Sequence, residues 1–284
     1  MNTDERIVRA LFDTKALRIS SPDQPFFYTS GTIGPYYINT HFLYGSEAEA
    51  QELLTKIEAA VRQPEKLTAV LLPLLMKQYE ENSTYRLVID ALSSKAAELP
   101  HDIISGGERR DFIFSLPVAQ LSGNPHLSIL KSGEVWFGRR TDDIEYEPEK
   151  GELAGQQVLH ISDLITAASS YTRTWIPAVT GTGATMPHTL TVVDRDQGGK
   201  RALASVRTTL HALTTFSAEL FETAANAGLV TKSQLEQILS FLENPTTFES
   251  KFLAEHPNFL KEQIALGGKN AERARLVQER LRHA

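Results

Sequence analysis

The stretch Val158-Leu159-His160-Ile161-Ser162-Asp163-Leu164-Ile165-Thr166-Ala167-Ala168-Ser169-Ser170 decides the fold. It begins as an apolar run of strand length and delivers an acid, Asp163, towards its end. Small and hydroxylic residues then open the next segment, where a helix start leaves backbone N–H groups without intrahelical partners. Such a start cradles an anion, with Thr166, Ser169 and Ser170 adding hydroxyl donors and Asp163 accepting from sugar hydroxyls. A plain strand-to-helix cap, in which Asp163 or Thr166 satisfies orphan amides, accounts for the same letters. His160, inside the apolar run, reads as a satisfied core histidine.

On either side, short apolar strand candidates alternate with helices through residues 102–105, 112–121, 126–130, 190–194 and 201–213. This alternation predicts an α/β layer with a mainly parallel sheet, where ligands sit beyond the carboxyl ends of strands. Nearer the N-terminus, residues 4–17 and 47–62 carry helical spacing, and 26–39 read as short strands around a turn. Residues 67–98 read as two helices divided near Asn82, covering a sheet or packing at a dimer interface. The last 70 or so residues lack strand signals, and Thr231 with Gln234 is spaced as a capping box.

Composition narrows the chemistry. With 284 residues, 35 acidic against 29 basic side chains and a formal charge of −6, the chain has no general attraction to nucleic acid or anionic lipid. The absence of cysteine excludes disulfides, thiolate metal sites and cysteine nucleophiles, and suits a reducing cytoplasm. The longest apolar run, residues 69–76, contains Pro73 and falls far short of the ~20 residues that span a bilayer. The start Met1-Asn2-Thr3-Asp4-Glu5 is acidic, unlike an export signal. The expectation is a soluble, cytoplasmic protein. The histidines show no metal-ligand spacing, and neither a serine-hydrolase elbow nor a Walker lysine loop is present.

A second anion-binding candidate is Ile104-Ser105-Gly106-Gly107-Glu108-Arg109-Arg110-Asp111. Two glycines after a strand allow consecutive N–H groups to converge on an anion that Arg109 and Arg110 neutralise. A charged helix cap, with Glu108 and Asp111 pairing the arginines, is the alternative. The third is Val192-Val193-Asp194-Arg195-Asp196-Gln197-Gly198-Gly199, in which Arg195 offers a planar fork to a carboxylate or pairs with Asp194 or Asp196.

The segment around Asp163 resembles the phosphoribosyl-diphosphate (PRPP) motif of type I phosphoribosyltransferases, a strand ending in two adjacent acids followed by a threonine-and-glycine phosphate loop. Ser162 stands at the first acid and Ala168 at the usual glycine. The run Phe27-Tyr28-Thr29-Ser30-Gly31-Thr32-Ile33-Gly34-Pro35-Tyr36-Tyr37-Ile38-Asn39 resembles the N-terminal hood of the orotate branch, with Thr29 and Thr32 replacing basic residues. Residues 192–199 match that branch's strand-end motif closely.

The resemblance implies a type I phosphoribosyltransferase-like α/β fold, with a mainly parallel central sheet flanked by helices. It divides the chain into an N-terminal helix and hood (1–65), the core (66–215) and a C-terminal helical extension (216–284). It also implies a homodimer that transfers ribose 5-phosphate from PRPP to orotate or a similar carboxylated base, with Mg2+ carried by PRPP. Carried over residue by residue, it gives the 5′-phosphate to Thr166, Ala167, Ser169 and Ser170, and the ribose to Asp163. Pyrophosphate falls to Gly106, Gly107, Arg109 and Arg110, the base carboxylate to Arg195, and further substrate contacts to Ser30 and Tyr36. Arg139 and Arg140 are the lid candidates, in an acidic interval (132–155) that also reads as a solvated hairpin through Val135-Trp136-Phe137. The departures at Ser162, Ala168, the hood and the lid leave a second expectation, a PRPP- or nucleotide-binding sensor or scaffold without turnover.

Overall fold

A computed structural model describes residues 3–28, 31–139 and 144–282; the expected site residues Ser30 and Arg140 lie outside them. In chain order the elements are α1 (Thr3–Asp13), β1 (Leu17–Ile19), β2 (Phe26–Phe27), β3 (Ile33–Gly34), β4 (Tyr36–Ile38), α2 (Glu47–Ala60), α3 (Leu67–Glu81) and α4 (Ser83–Ala96). There follow β5 (Ile103–Gly107), α5 (Phe112–Ser122), β6 (His126–Ile129), β7 (Val135–Gly138), β8 (Gln157–Ile165), α6 (Ile176–Gly181), β9 (Thr185–Asp194), α7 (Gly199–Ser205) and β10 (Thr209–Thr215). The chain closes with α8 (Ala218–Asn226), α9 (Lys232–Glu243), α10 (Pro245–Glu255), α11 (Phe259–Leu266) and α12 (Gly268–Arg282).

These elements form two compact units, and the first comprises Asn39–Phe216 with the N-terminal stretch through Ala16. Its six-stranded sheet has the order β10-β9-β8-β5-β6-β7. Every pairing is parallel except the β6/β7 hairpin. β8 is buried without a break from Val158 to Asp163 because helices cover both faces of a parallel sheet. α5 packs on β5 and β8, α4 on β9 and α1 on β10, while α6 and α7 lie against β9 and β10. The stretch from Phe112 forms a helix buried all round its first eight residues, which removes the polar face that would have marked it. Because β6 lies on one side of β5 and the chain then crosses to β8 on the other, the strand order reverses between β5 and β8. Such a switch point opens a crevice at the strands' carboxyl ends.

Residues 135–137 belong to the hairpin, with Phe137 bridging to Tyr146. The acidic segment beyond is pinned by Glu145, which is buried. Its carboxylate accepts from Ser128 Oγ (2.9 Å) and from Thr68 N (3.2 Å).

The second unit comprises Leu17–Ile38 with the chain from Ser217 onward. The boundaries therefore differ from the expected three-part division: the hood strands group with the C-terminal helices. β1 pairs antiparallel with β4, and β2 with β3. Two such ribbons are too small to satisfy themselves, and the helices supply what they lack. Gln234 and Gln237 donate to the carbonyls of Ser20 (3.0 Å) and Pro22 (2.9 Å), and Arg273 to that of Phe27 (2.8 Å). Arg280 donates to Gly31 O (3.1 Å) and pairs with buried Glu249, which in turn accepts from Ile33 N (3.1 Å). The Thr231/Gln234 capping box is formed at the start of α9.

Candidate functional site

A cleft of about 320 Å³ opens at the switch point of the first unit, lined by the loops that follow β5 and β8. From the first come Glu108, Arg109, Arg110 and Asp111; from the second come Ser162 to Tyr171; Lys131 and Trp175 complete it. Asp163, Arg109, Arg110, Thr166, Ala167, Ser169 and Ser170 thus share one cavity, although more than fifty positions separate the two loops.

β8 continues to Ile165, after which Thr166, Ala167 and Ala168 turn the chain into helical residues 169–181, wound as a π turn over Tyr171–Trp175. Ala168 caps this stretch, accepting from Thr172 N (3.2 Å), and holds a left-handed φ of +55°. That conformation favours glycine. The loop is stitched to the next strand end: Arg195 N donates to Ile165 O and Gly199 N to Thr166 O, both at 2.9 Å. A Cβ on Gly199 would meet Thr166 O at 2.7 Å, so the second glycine of that motif is set by close approach of backbone.

Gly106 and Gly107 correct an expectation. They are the last residues of β5 rather than a turn after it, and both are buried. Gly107 N donates to Asp111 Oδ2 (3.1 Å), and a Cβ there would meet the Trp175 ring at 2.6 Å. A Cβ on Gly106 would collide with Ser115. They make room for packing, and the residues that face the cleft are those from Glu108 onward, where the Glu108–Arg109 peptide is cis.

Asp111 joins the two loops. Besides Gly107 N it accepts from Asp163 N through Oδ1 (3.0 Å), and its Oδ2 lies 3.4 Å from His160 Nε2. His160 is fully buried beneath, with Nδ1 2.9 Å from Ser105 Oγ and its ring against Trp175, the core histidine the sequence suggests.

Asp163 is itself buried, and its Oδ2 accepts from Thr40 Oγ1 at 2.6 Å. Burial and then the neighbouring Asp111 push its carboxyl up to about 7, against the opposing influence of Arg110, Thr40 and the Leu164 amide. Ser162 Oγ accepts from Tyr171 Oη (2.8 Å), which also lies 2.7 Å from Thr189 Oγ1. The lining carries three cations (Arg109, Arg110, Lys131) against Glu108, Asp111 and Asp163. When Asp163 is protonated the cleft is therefore net positive. Burial, then Arg110 and Arg109, push the nearby His41 down to about 3, so it adds no charge at neutral pH.

The other expected residues fall elsewhere. Arg195 stands at the end of β9 and is not among the residues lining this cleft. Arg139 is 71% exposed and pairs with Glu152 (3.6 Å). Tyr36 is fully buried in the second unit, stacked on Phe221 and edge-on to Phe241, a core position rather than a ligand surface. Arg109 lines the cleft but also pairs with Glu58 of α2.

Sequence reasoning missed Lys131, Thr40 and the Tyr171/Trp175 pair. Lys131 lies two residues beyond the end of β6, so the strand-end rule that marked Asp163 would have found it. Nothing in the letters around Thr40 signals its bond to Asp163.

No family model matches the chain. Among curated proteins it is 30% identical over 143 residues to an adenine phosphoribosyltransferase of Cereibacter sphaeroides, covering 46% of this chain and 79% of the relative. It is 25% identical over 252 residues to an orotate phosphoribosyltransferase of Lactococcus lactis, covering 88% of this chain and all of the relative. Against another adenine phosphoribosyltransferase, from Caldicellulosiruptor saccharolyticus, it is 29% identical and spans 57% of the relative's length. Two solved structures share the fold. Leishmania donovani UMP synthase superposes with a TM-score of 0.57 at 18% identity, over 86% of this chain and 42% of that one. The Aeropyrum pernix orotate phosphoribosyltransferase gives 0.51 at 16%, over 77% and 99%.

Proposed function

The chain belongs to the type I phosphoribosyltransferase family, and from that premise we propose that it transfers ribose 5-phosphate from PRPP to the ring nitrogen of a carboxylated pyrimidine such as orotate, releasing pyrophosphate. The observation that carries this reading is the convergence of two arginines after β5 and a hydroxyl-rich loop after β8 on one switch-point cleft. Thr166, Ala167, Ser169 and Ser170 hold the 5′-phosphate, and Arg109, Arg110 and Lys131 face the leaving pyrophosphate. Arg195 takes the base carboxylate beyond the cleft's edge.

Departure of pyrophosphate leaves positive charge on the ribose, so these residues act by positioning and by stabilising the leaving group. Magnesium, which supplies charge neutralisation, belongs to the substrate in this reading. Such a hard cation is held largely by phosphate oxygens and water. Asp111 and Asp163, committed to amides and to Thr40, suit that arrangement better than a protein cage. The reading includes a homodimer and a cytoplasmic setting; among the described residues no helix is long and apolar enough to cross a membrane.

A second reading rests on the internal partners of Ser162 and Asp163: a sensor that binds PRPP or a nucleotide without turnover. Calorimetry with PRPP and magnesium, followed by pyrophosphate release with orotate, adenine and other bases, separates the two. Binding with release on orotate is expected. Binding without release on any base selects the sensor, and no PRPP binding overturns both.

A further inference from the structure

Recognition of a vicinal diol requires acceptors that are free to take two hydroxyl protons, and carboxylates at a strand end are suited to it. In this cleft the two residues so placed are Ser162 and Asp163, and both are engaged from within. Ser162 is 2% exposed and accepts from Tyr171 Oη at 2.8 Å. Asp163 is 9% exposed; Oδ2 takes the Thr40 hydroxyl at 2.6 Å, and the Leu164 amide also donates to the carboxyl. The Asp163 N–H, which could only donate to a sugar oxygen, is itself spent on Asp111 Oδ1 (3.0 Å). The groups that recognise phosphate have a different standing. Thr166 is only half-buried, Ser169 and Ser170 are exposed, and Arg110 and Lys131 line the same opening.

We propose that the cleft selects its ligand by the phosphate groups and is indifferent to the sugar's 2-hydroxyl, accepting 2-deoxyribose 5-phosphate derivatives as well as ribose ones. This rests on the reading of the cleft as a sugar-phosphate site and names the class of ligand it takes. A site that hydrogen-bonds a substrate hydroxyl rejects the analogue lacking it by orders of magnitude, because its own buried groups are left unpaired. Here Thr40, Leu164 and Tyr171 keep those groups paired whether or not the hydroxyl is present. The phosphate then supplies the discrimination, through charge-assisted bonds that both sugars make equally.

The test is calorimetry on the full chain with ribose 5-phosphate, 2-deoxyribose 5-phosphate and inorganic phosphate, repeated on Thr166→Ala. The two sugar phosphates are expected to bind within about threefold of each other, and Thr166→Ala to weaken both by a similar factor of about ten. Tighter binding of ribose 5-phosphate by tenfold or more would overturn the inference while leaving the sugar-phosphate cleft in place. Binding of both sugars that Thr166→Ala leaves untouched would place them outside this cleft and overturn it too. If neither sugar phosphate binds, the inference falls, and if PRPP also fails, the reading of the cleft falls with it.

Discussion

At Ala168 three small energetic terms oppose one another. Its left-handed φ of +55° costs a non-glycine residue roughly 1–2 kcal/mol. Replacement by glycine returns that cost but frees the unfolded chain by about 0.4–1 kcal/mol. It also gives up a buried methyl worth about 0.8 kcal/mol, since Ala168 is 6% exposed. The terms nearly cancel. Ala168→Gly should therefore change the stability read from urea denaturation by less than about 1 kcal/mol, while PRPP affinity, read by titration calorimetry on the variant, rises several-fold as the loop backbone becomes approachable. Asp163 gives a pH prediction. Its carboxyl rises from 3.8 to about 7, so the fold holds a proton that the unfolded chain releases. That contribution is complete below 3.8 and is lost as pH climbs through 7; Glu145, raised from 4.5 to about 6, acts in the same sense. His41 and His126, lowered from 6.5 to about 3, oppose them, contributing fully above 6.5 and failing as pH falls through 3. Asp163→Asn removes one of these titrations. Relative to the parent protein it should gain on the order of 2 kcal/mol between pH 5 and pH 8 in urea denaturation. A difference that does not change with pH would reject the raised carboxyl.

At the scale of elements, the β6/β7 hairpin and the segment after it depend on a buried acid. Glu145 accepts from Ser128 Oγ and Thr68 N, and Ser128 Oγ lies 3.1 Å from His126 Nδ1, whose other nitrogen is 3.0 Å from Ser115 Oγ. Glu145→Ala strands these donors and should cost about 2 kcal/mol, whereas Glu145→Gln, which keeps an acceptor, should cost well under half of that; chemical denaturation of both variants tests the difference. Gly107→Ala drives a methyl into Trp175 and Asp111. It should destabilise by about 1–3 kcal/mol and loosen both cleft loops together, which amide exchange at residues 108–111 and 163–168 would record. The strands of the sheet were legible because a parallel sheet covered on both faces leaves apolar runs in the sequence, and the acid near the end of one of them marked the cleft. The role of Glu145 was not legible: among the described acids between 132 and 155, only the folded segment distinguishes the buried one. The two glycines at the end of β5 misled for a related reason, since a glycine required by close packing and one required by a turn look alike in a sequence.

For the molecule as a whole, the difference that matters is that residues 17–38 share one unit with the C-terminal helices. Periodicity identified short N-terminal strands and C-terminal helices separately, but hydrogen bonds from Gln234, Gln237, Arg273 and Arg280 to strand carbonyls leave no local trace in the letters. Removal of residues 217–284 should leave the sheet of the first unit folded and expose residues 17–38. Limited proteolysis should then cut between Leu17 and Ile38 at least tenfold faster than in the full chain, and an unchanged rate there would contradict the shared unit. The same interleaving sets an order of events on the ribosome. Synthesis proceeds at about 5–20 residues per second, so the aromatic hairpins emerge roughly 10 to 40 seconds before the helices that complete them. During that wait the rings that Phe27 and Tyr36 pack on, Phe259, Phe221 and Phe241, are still to be made while the sheet assembles downstream, and a holding chaperone has a defined window and a defined segment to protect.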